Sequence, residues 1–257
     1  MLKIENLTKV FGKGTINEMV ALDGVDFHAE PGDFVTIIGS NGAGKSTLMN
    51  SIAGVFPVDS GTIVLNGKDI SGLPEHKRAR MIGRVFQDPL KGTAFDMTIE
   101  ENLSIAYNKT RKRGFQAGIN KSDRELFKEK LELLGMGLEN RMKEKVRLLS
   151  GGQRQALTLF MAVISEPELL LLDEHTAALD PSAARKVLEL TDYFAGNGRM
   201  CTMMITHNMK AALEHGNRTI LMQDGKIKLD ISGQERDRMT VEKLIEKFEI
   251  DNDRMLL

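Results

Sequence analysis

Leu2, Ile4, Leu7 and Val10 stand apart among polar neighbours, and a second run of similar character spans residues 21–27. This spacing predicts two half-buried strands, with Gly12 and Gly14 turning one into the other. The Pro31-Gly32-Asp33 turn leads into residues 34–38, a short continuous run rich in β-branched residues. Such a run is expected of a parallel strand buried on both faces. A further strand at 62–66 ends on the turn signal Asn66-Gly67, and another lies near 82–86.

From Gln87 to Gln153 the periodicity becomes helical. Within it, Ser122-Asp123-Arg124-Glu125 has the spacing of a capping box ahead of Leu126, Phe127, Leu131 and Leu134. Apolar strand-like runs return at 169–172 and 203–205, with a helix-like segment at 183–194 between them. Asp224-Gly225 marks a hairpin turn, and Thr240 is placed to cap a helix whose Val241, Leu244, Ile245 and Phe248 share one face. Alternating strands and helices predict an α/β fold with a helical subdomain inserted between strands of its core. No internal repeat interrupts this pattern.

Composition narrows the function classes. The chain has 257 residues, 41% of them apolar, enough for a buried core. Charged residues make up 28% but cancel to a net charge of −1, so no broad basic surface and no nucleic-acid partner are expected. A local cluster of Lys109, Arg111, Lys112, Arg113 and Lys121 reads as a solvated face, with anionic lipid headgroups as the functional alternative. The single cysteine, Cys201, excludes an intramolecular disulfide and fits a reducing compartment as a buried thiol. The fifteen methionines read as core packing. Lys3, Glu5 and Lys9 break any apolar leader, so export is not expected. The apolar runs fall far short of the roughly 20 residues of a membrane helix, so a membrane role would come through a partner.

Against this background the segment Gly39-Ser40-Asn41-Gly42-Ala43-Gly44-Lys45-Ser46, followed by Thr47, satisfies the pattern G-x-x-x-x-G-K-[ST]. It lies between a buried strand and a helical run, where glycines let backbone N–H groups face phosphate oxygens and the helix dipole adds positive potential. The ligand it implies is ATP. Lys45 would reach the β- and γ-phosphates, and Ser46 would hold Mg²⁺.

Asp173 and Glu174 leave the buried run at 169–172, an expensive place for two carboxylates unless a cation or donor meets them. Asp173 is suited to organise the metal and Glu174 to polarise the attacking water; the bland alternative is that the pair caps the next helix. His207 follows residues 203–205 in the same way and is suited to hydrogen-bond the γ-phosphate. In open α/β sheets, ligands bind beyond the carboxyl ends of parallel strands, where all three would lie. A second glycine motif, Leu149-Ser150-Gly151-Gly152-Gln153, precedes a helix-like stretch and is equally consistent with a helix cap or a tight turn.

Taken together these motifs resemble the ATP-binding subunits of ABC transporters, over residues 2–230. The resemblance implies a P-loop NTPase (RecA-like) α/β core with an antiparallel β subdomain at 1–88 and 158–230. It also implies an α-helical subdomain at 89–157 carrying the signature motif, and a C-terminal helical extension at 231–257. It makes Lys45, Gln87, Glu174 and His207 the catalytic set, and Ser46, Gln87 and Asp173 the metal ligands. Phe11 falls where an aromatic stacks on adenine. Asp180, in Ala178-Leu179-Asp180, falls on the loop that contacts the opposite subunit.

The resemblance further implies a head-to-tail dimer, in which Ser150, Gly151, Gly152 and Gln153 of one copy close on ATP held by residues 39–47 of the other. Membrane permease subunits and, through them, an extracellular solute-binding protein would be the partners, with the chain at the cytoplasmic face of the membrane. The run at 173–180 looks like that of a subgroup taking up amino acids or similar small solutes. His175 departs from the proline most members carry, which bears on the rigidity of its loop rather than on hydrolysis. Alternatives are an exporter subunit, a soluble ABC-type ATPase acting on nucleic acid or ribosomes, and a nucleotide-binding module without turnover. The second of these would bring duplicated cassettes or coiled-coil insertions, and Glu174 and His207 disfavour the third.

Overall fold

In the computed structural model, which describes residues 1–109, 118–196 and 198–253 (the last six without side chains), the hydrophobic runs become the strands of two compact units. One unit comprises residues 1–79 and 198–257, the other residues 80–197. In chain order the first half contains β1 (Leu2–Phe11), β2 (Met19–Ala29), β3 (Phe34–Ile38), α1 (Lys45–Ala53), β4 (Ser60–Leu65), β5 (Lys68–Asp69), α2 (Glu75–Arg78), β6 (Ile82–Val85) and α3 (Ile99–Asn108). There follow α4 (Lys121–Glu132), α5 (Gly151–Val163), β7 (Leu169–Asp173), α6 (Pro181–Ala195), β8 (Cys201–Ile205), α7 (Met209–Glu214), β9 (Arg218–Gln223), β10 (Lys226–Ser232), α8 (Gly233–Asp237) and α9 (Val241–Asp253).

The first unit contains an antiparallel sheet in the order β2-β1-β4-β5. Its registers place Leu2 opposite Ala29 and Leu65, and Ile4 opposite Phe27 and Ile63, so one apolar face is assembled from three strands. The same unit holds β3 between β8 and β9, parallel to both, with Ile37 opposite Ile205 and Ile220. All five residues of β3 and all five of β8 are buried, as the uninterrupted runs predicted. β10 returns antiparallel to β9 from the Asp224-Gly225 turn. Cys201 lies in β8, and burial pushes its thiol up to about 12.

In the second unit β6 and β7 pair in parallel, Ile82 opposite Leu169 and Val85 opposite Leu172. α5 packs on α6, where the rings of Phe160 and Phe194 stack 6.2 Å apart. α3 meets α4 through Tyr107 edge-on to Phe127 and through an Arg124–Glu100 ion pair of 2.9 Å. The capping box of α4 is not the one expected from Ser122. Asn120 caps the helix, accepting from the Asp123 N–H at 2.8 Å, while the Asp123 carboxylate accepts from the Asn120 N–H at 3.1 Å. Asparagine caps as well as serine, and starting earlier adds backbone bonds to the helix. Arg111, Lys112 and Arg113 of the basic cluster and the Phe248 side chain lie outside the described positions, whereas the Lys121 side chain is exposed beside Glu125.

Candidate nucleotide site

In the first unit, β3 ends at Ile38 and the chain turns at once into the 39–44 loop, which opens α1. Two glycines make the turn possible. A Cβ on Gly39, at φ 153, would collide with the Met222 carbonyl, and one on Gly44, at φ 97, would lie 2.5 Å from the Ala21 carbonyl. The loop is stitched by Ala43 N–H to the Ser40 carbonyl at 3.2 Å and by Gly225 N–H to the Ala43 carbonyl at 3.2 Å. Lys45 is 5% exposed, and its ammonium donates to the carbonyls of Gly39 and Ser40 at 2.8 Å each. Gly44 is the N-cap of α1, no side chain caps that helix, and its first turn carries no acid. Asn41 and Ser46 are exposed and Thr47 half-buried. The arrangement suits an anion: rigid backbone, the positive end of a helix and a held cation.

The other end of α1 is fixed by a residue that sequence reasoning passed over. Arg78, 2% exposed, donates to the Ser51 and Ile52 carbonyls at 2.7 and 2.9 Å, and to those of Leu73 and Ser71 at 2.7 and 2.8 Å. It satisfies carbonyls that a helix C-terminus otherwise leaves open. Burial pulls its guanidinium below the usual arginine range, against the raising influence of Asp69.

Phe11 ends β1 edge-on to Phe56, their ring centroids 5.2 Å apart. The Lys9 ammonium lies 5.4 Å from the Phe11 centroid and 3.3 Å from Asp59. The Val10 N–H and then Lys9 hold the Asp59 carboxyl below its ordinary value. His207 follows β8 in a segment tied on both sides: Thr206 N–H donates to the Ile37 carbonyl at 3.1 Å, and Asn208 N–H to Thr206 Oγ1 at 3.0 Å. Asn208 then caps α7.

In the second unit Asp173 closes β7 and Glu174 follows at φ 46, a left-handed conformation uncommon for a residue with a side chain. Both are half-buried. Neither is the N-cap of the following helix. That place is taken by Asp180, whose Oδ1 accepts from the Ser182 and Ala183 N–H groups at 3.0 Å. His175 is buried, its Nε2 3.1 Å from Thr191 Oγ1 on α6, so a polar anchor stands where a proline would stiffen the loop. Gln87 is exposed just after β6, ahead of a short 3₁₀ turn capped by Asp88.

The 150–153 motif opens α5 as a capped helix rather than a tight turn. Ser150 Oγ accepts from the Gln153 N–H, and Gln153 Oε1 accepts from the Ser150 N–H, each at 3.2 Å. Arg141 also donates to Gln153 Oε1 at 3.2 Å, while Gln153 Nε2 donates to the Met136 carbonyl at 3.2 Å. Ser150 and Gly151 face solvent and Gly152 is buried. Gln155, two residues on and 1% exposed, donates to the Phe86 carbonyl at 3.3 Å, so α5 holds the peptide that precedes Gln87. A polar residue on the apolar face of α5 was the signal that could have singled it out.

The ABC transporter family profile matches residues 22–177, well over half of the chain. The chain belongs to the ABC transporter family. It is 43% identical over 249 residues to the tyrosine transport ATP-binding protein of Clostridioides difficile, covering 97% of this chain and 99% of that one. It is 34% identical over 231 residues to the methionine import ATP-binding protein MetN of Corynebacterium glutamicum, covering 88% of this chain and 61% of that protein. A dimeric ATP-binding cassette in a post-hydrolysis state, bound to ADP and Pi, superposes with a TM-score of 0.76 at 28% identity, covering 90% of this chain and 98% of its own. CbiO1 of Clostridium perfringens, part of an ABC transporter complex, superposes with a TM-score of 0.77 at 25% identity, covering 99% of this chain and 96% of its own. The chain is therefore an ABC-type ATPase with the P-loop NTPase fold that its motifs predicted, and an ATP-binding subunit of the transporter class whose relatives include importers. Among the described residues no helix is long and apolar enough to cross a membrane.

Proposed function

We propose that this ABC ATPase powers uptake of an amino acid or a similar small solute, acting at the cytoplasmic face of a membrane through permease subunits. The observation that carries the reading is the 43% identity, over nearly the full length of both chains, to a tyrosine transport ATP-binding protein. The permeases would in turn receive solute from an extracellular binding protein. They would dock near Gln87 and the helical segment at 89–157, so that closure of two copies is converted into transport.

The roles follow from the chemistry of the side chains. Phosphate oxygens of ATP would take over the Lys45 bonds to the Gly39 and Ser40 carbonyls and receive the N–H groups of residues 39–47. Phe11 would stack on adenine with the face that Phe56 leaves to it. His207 would donate to the γ-phosphate, and Glu174, held at positive φ, would accept a proton from the attacking water. Ser150, Gly151, Gly152 and Gln153, with Asp180, would meet the nucleotide of a second copy, where the N-terminus of α5 favours negative charge.

Ser46, Gln87 and Asp173 offer a hydroxyl, an amide oxygen and a carboxylate. This set of hard oxygen donors fits Mg²⁺, which leaves most of its six positions to phosphates and water. Bound there, the ion would neutralise charge developing on the transferred phosphoryl group.

Glu174→Gln is expected to slow ATP turnover by about 10²–10⁴-fold and to accumulate an ATP-bound dimer in light scattering. Turnover at the wild-type rate would sink the assignment of Glu174. The solute is tested separately. Proteoliposomes holding the chain with the membrane protein that co-purifies with it should accumulate labelled tyrosine or another amino acid only when ATP is present on the cassette side.

A further inference from the structure

The C-terminal segment folds back onto the two places where the first unit presents its chemistry. Leu244 of α9, fully buried, shares a cluster with Ile38, Ala212 and Leu221, against which Met209, Leu213, Leu229 and Met239 pack. Ile38 is the residue before Gly39, and Met209 opens α7 two residues after His207. Arg236 of α8 reaches the far end of α7, donating to the carbonyls of Ala212, Leu213 and His215 at 3.2, 3.0 and 2.6 Å. Its Nε donates to Thr219 Oγ1 at 3.1 Å.

Ala212 is the hub of this contact. Its carbonyl also accepts from Thr36 of β3 and Thr219 of β9 at 2.8 and 3.1 Å, and its N–H donates to the Asn208 carbonyl at 2.9 Å. A single residue, Ala212, thus links the Arg236 guanidinium by hydrogen bonds to Asn208, the residue next to His207. A helix of six residues has little stability of its own, so its position depends on what grips its ends. Asn208 caps one end and Arg236 the other, and Leu244 closes the face between them.

We propose that Arg236 and Leu244 form a clamp that positions His207 toward the γ-phosphate, which makes the C-terminal segment part of the device that distinguishes ATP from ADP. The proposal rests on the reading of His207 as a γ-phosphate contact. Arg236 and Leu244 are positioning residues, acting through α7 and β3.

The test measures affinities of the full chain for ADP and for the non-hydrolysable ATP analogue adenylyl imidodiphosphate, each with Mg²⁺, well below the melting temperature of every variant. Arg236→Met keeps the apolar stem and removes the donors; Leu244→Ala opens the cluster; Arg236→Lys and Leu244→Met are the conservative pair. Arg236→Met and Leu244→Ala should each weaken the analogue relative to ADP by at least about fivefold, with ADP affinity little changed. Arg236→Lys and Leu244→Met should recover most of the ratio. His207→Ala should lower the ratio at least as far, and adding Arg236→Met to it should lower it no further.

Equal losses for both nucleotides would overturn the clamp and point to general support of the phosphate loop. A ratio that falls in His207→Ala but not in the clamp variants would also overturn it, as would losses that multiply in the double variant. A ratio unchanged in His207→Ala would refute the reading of that histidine and the clamp with it.

Discussion

Two helix N-termini in this chain carry glycine-rich motifs, and they are finished in opposite ways. α1 starts from Gly44 with no side-chain cap, no first-turn acid and a buried lysine folded onto its loop. α5 starts from Ser150 inside a reciprocal capping box, with its glycines facing solvent or the adjacent helix. An uncapped N-terminus leaves donors for a ligand, while a capped one is complete as local structure and can add only what it still exposes. The first is therefore suited to be the main phosphate site, as proposed. The second is suited to complete a site held elsewhere, as proposed for a second copy.

The largest expected effect tests the first terminus. Lys45→Ala removes the cation held on the loop proposed to cradle the phosphates and should weaken ATP binding by about 100-fold or more, read by calorimetry, since charge-assisted bonds are the strong ones. Unchanged affinity would sink the assignment of this loop as the ATP site. Arg78→Ala tests the far end of α1. By taking the guanidinium away from two buried and two part-buried carbonyls it should lower stability by about 3 kcal/mol in urea unfolding, and Arg78→Lys, with fewer donors, should restore only part.

Ser150→Asp addresses the second terminus. Aspartate caps as well as serine, so stability should stay within about 0.5 kcal/mol, while a carboxylate facing phosphate should cut ATP turnover. Intact turnover would mean that the cap is the only role of Ser150. The smallest effect concerns Cys201 on β8. Burial raises its thiol pKa from an ordinary 9.0 to about 12, so its contribution to stability is fully present below pH 9 and lost as pH rises toward 12. At pH 7 a thiol reagent should label the native chain slowly and the urea-unfolded chain at once.

Much of this was legible in the sequence where a local pattern carried the information. The run at 34–38, the spacing of Gly39, Gly44 and Lys45, and the acids after 169–172 each placed an element or a candidate residue without reference to anything distant. What escaped was non-local. Arg78 sits in a charged stretch that reads as solvated, and only the packing of α1 against residues 71–78 reveals four carbonyl partners. Arg236 looks like an ordinary surface residue until α8 meets α7, and Gln155, though out of place on an apolar helix face, shows its partner only when α5 meets Phe86. At Asn120 the miss was local. Two capping boxes overlap there, and side-chain spacing alone does not choose between them.

The rest position of Lys45 has a consequence for how fast the loop can trade occupants. Its ammonium donates to two carbonyls of the loop itself, so a nucleotide bound there as proposed would replace oxygens that already hold the cation in place. A departing one leaves the cation already housed. Binding and release should then both be quick, with little heat-capacity change at the loop, and the dwell time of ATP would be set by groups outside residues 39–47. The cassette's clock, in that case, is kept by whatever closes over the phosphates, and the loop serves as its fast, reusable socket.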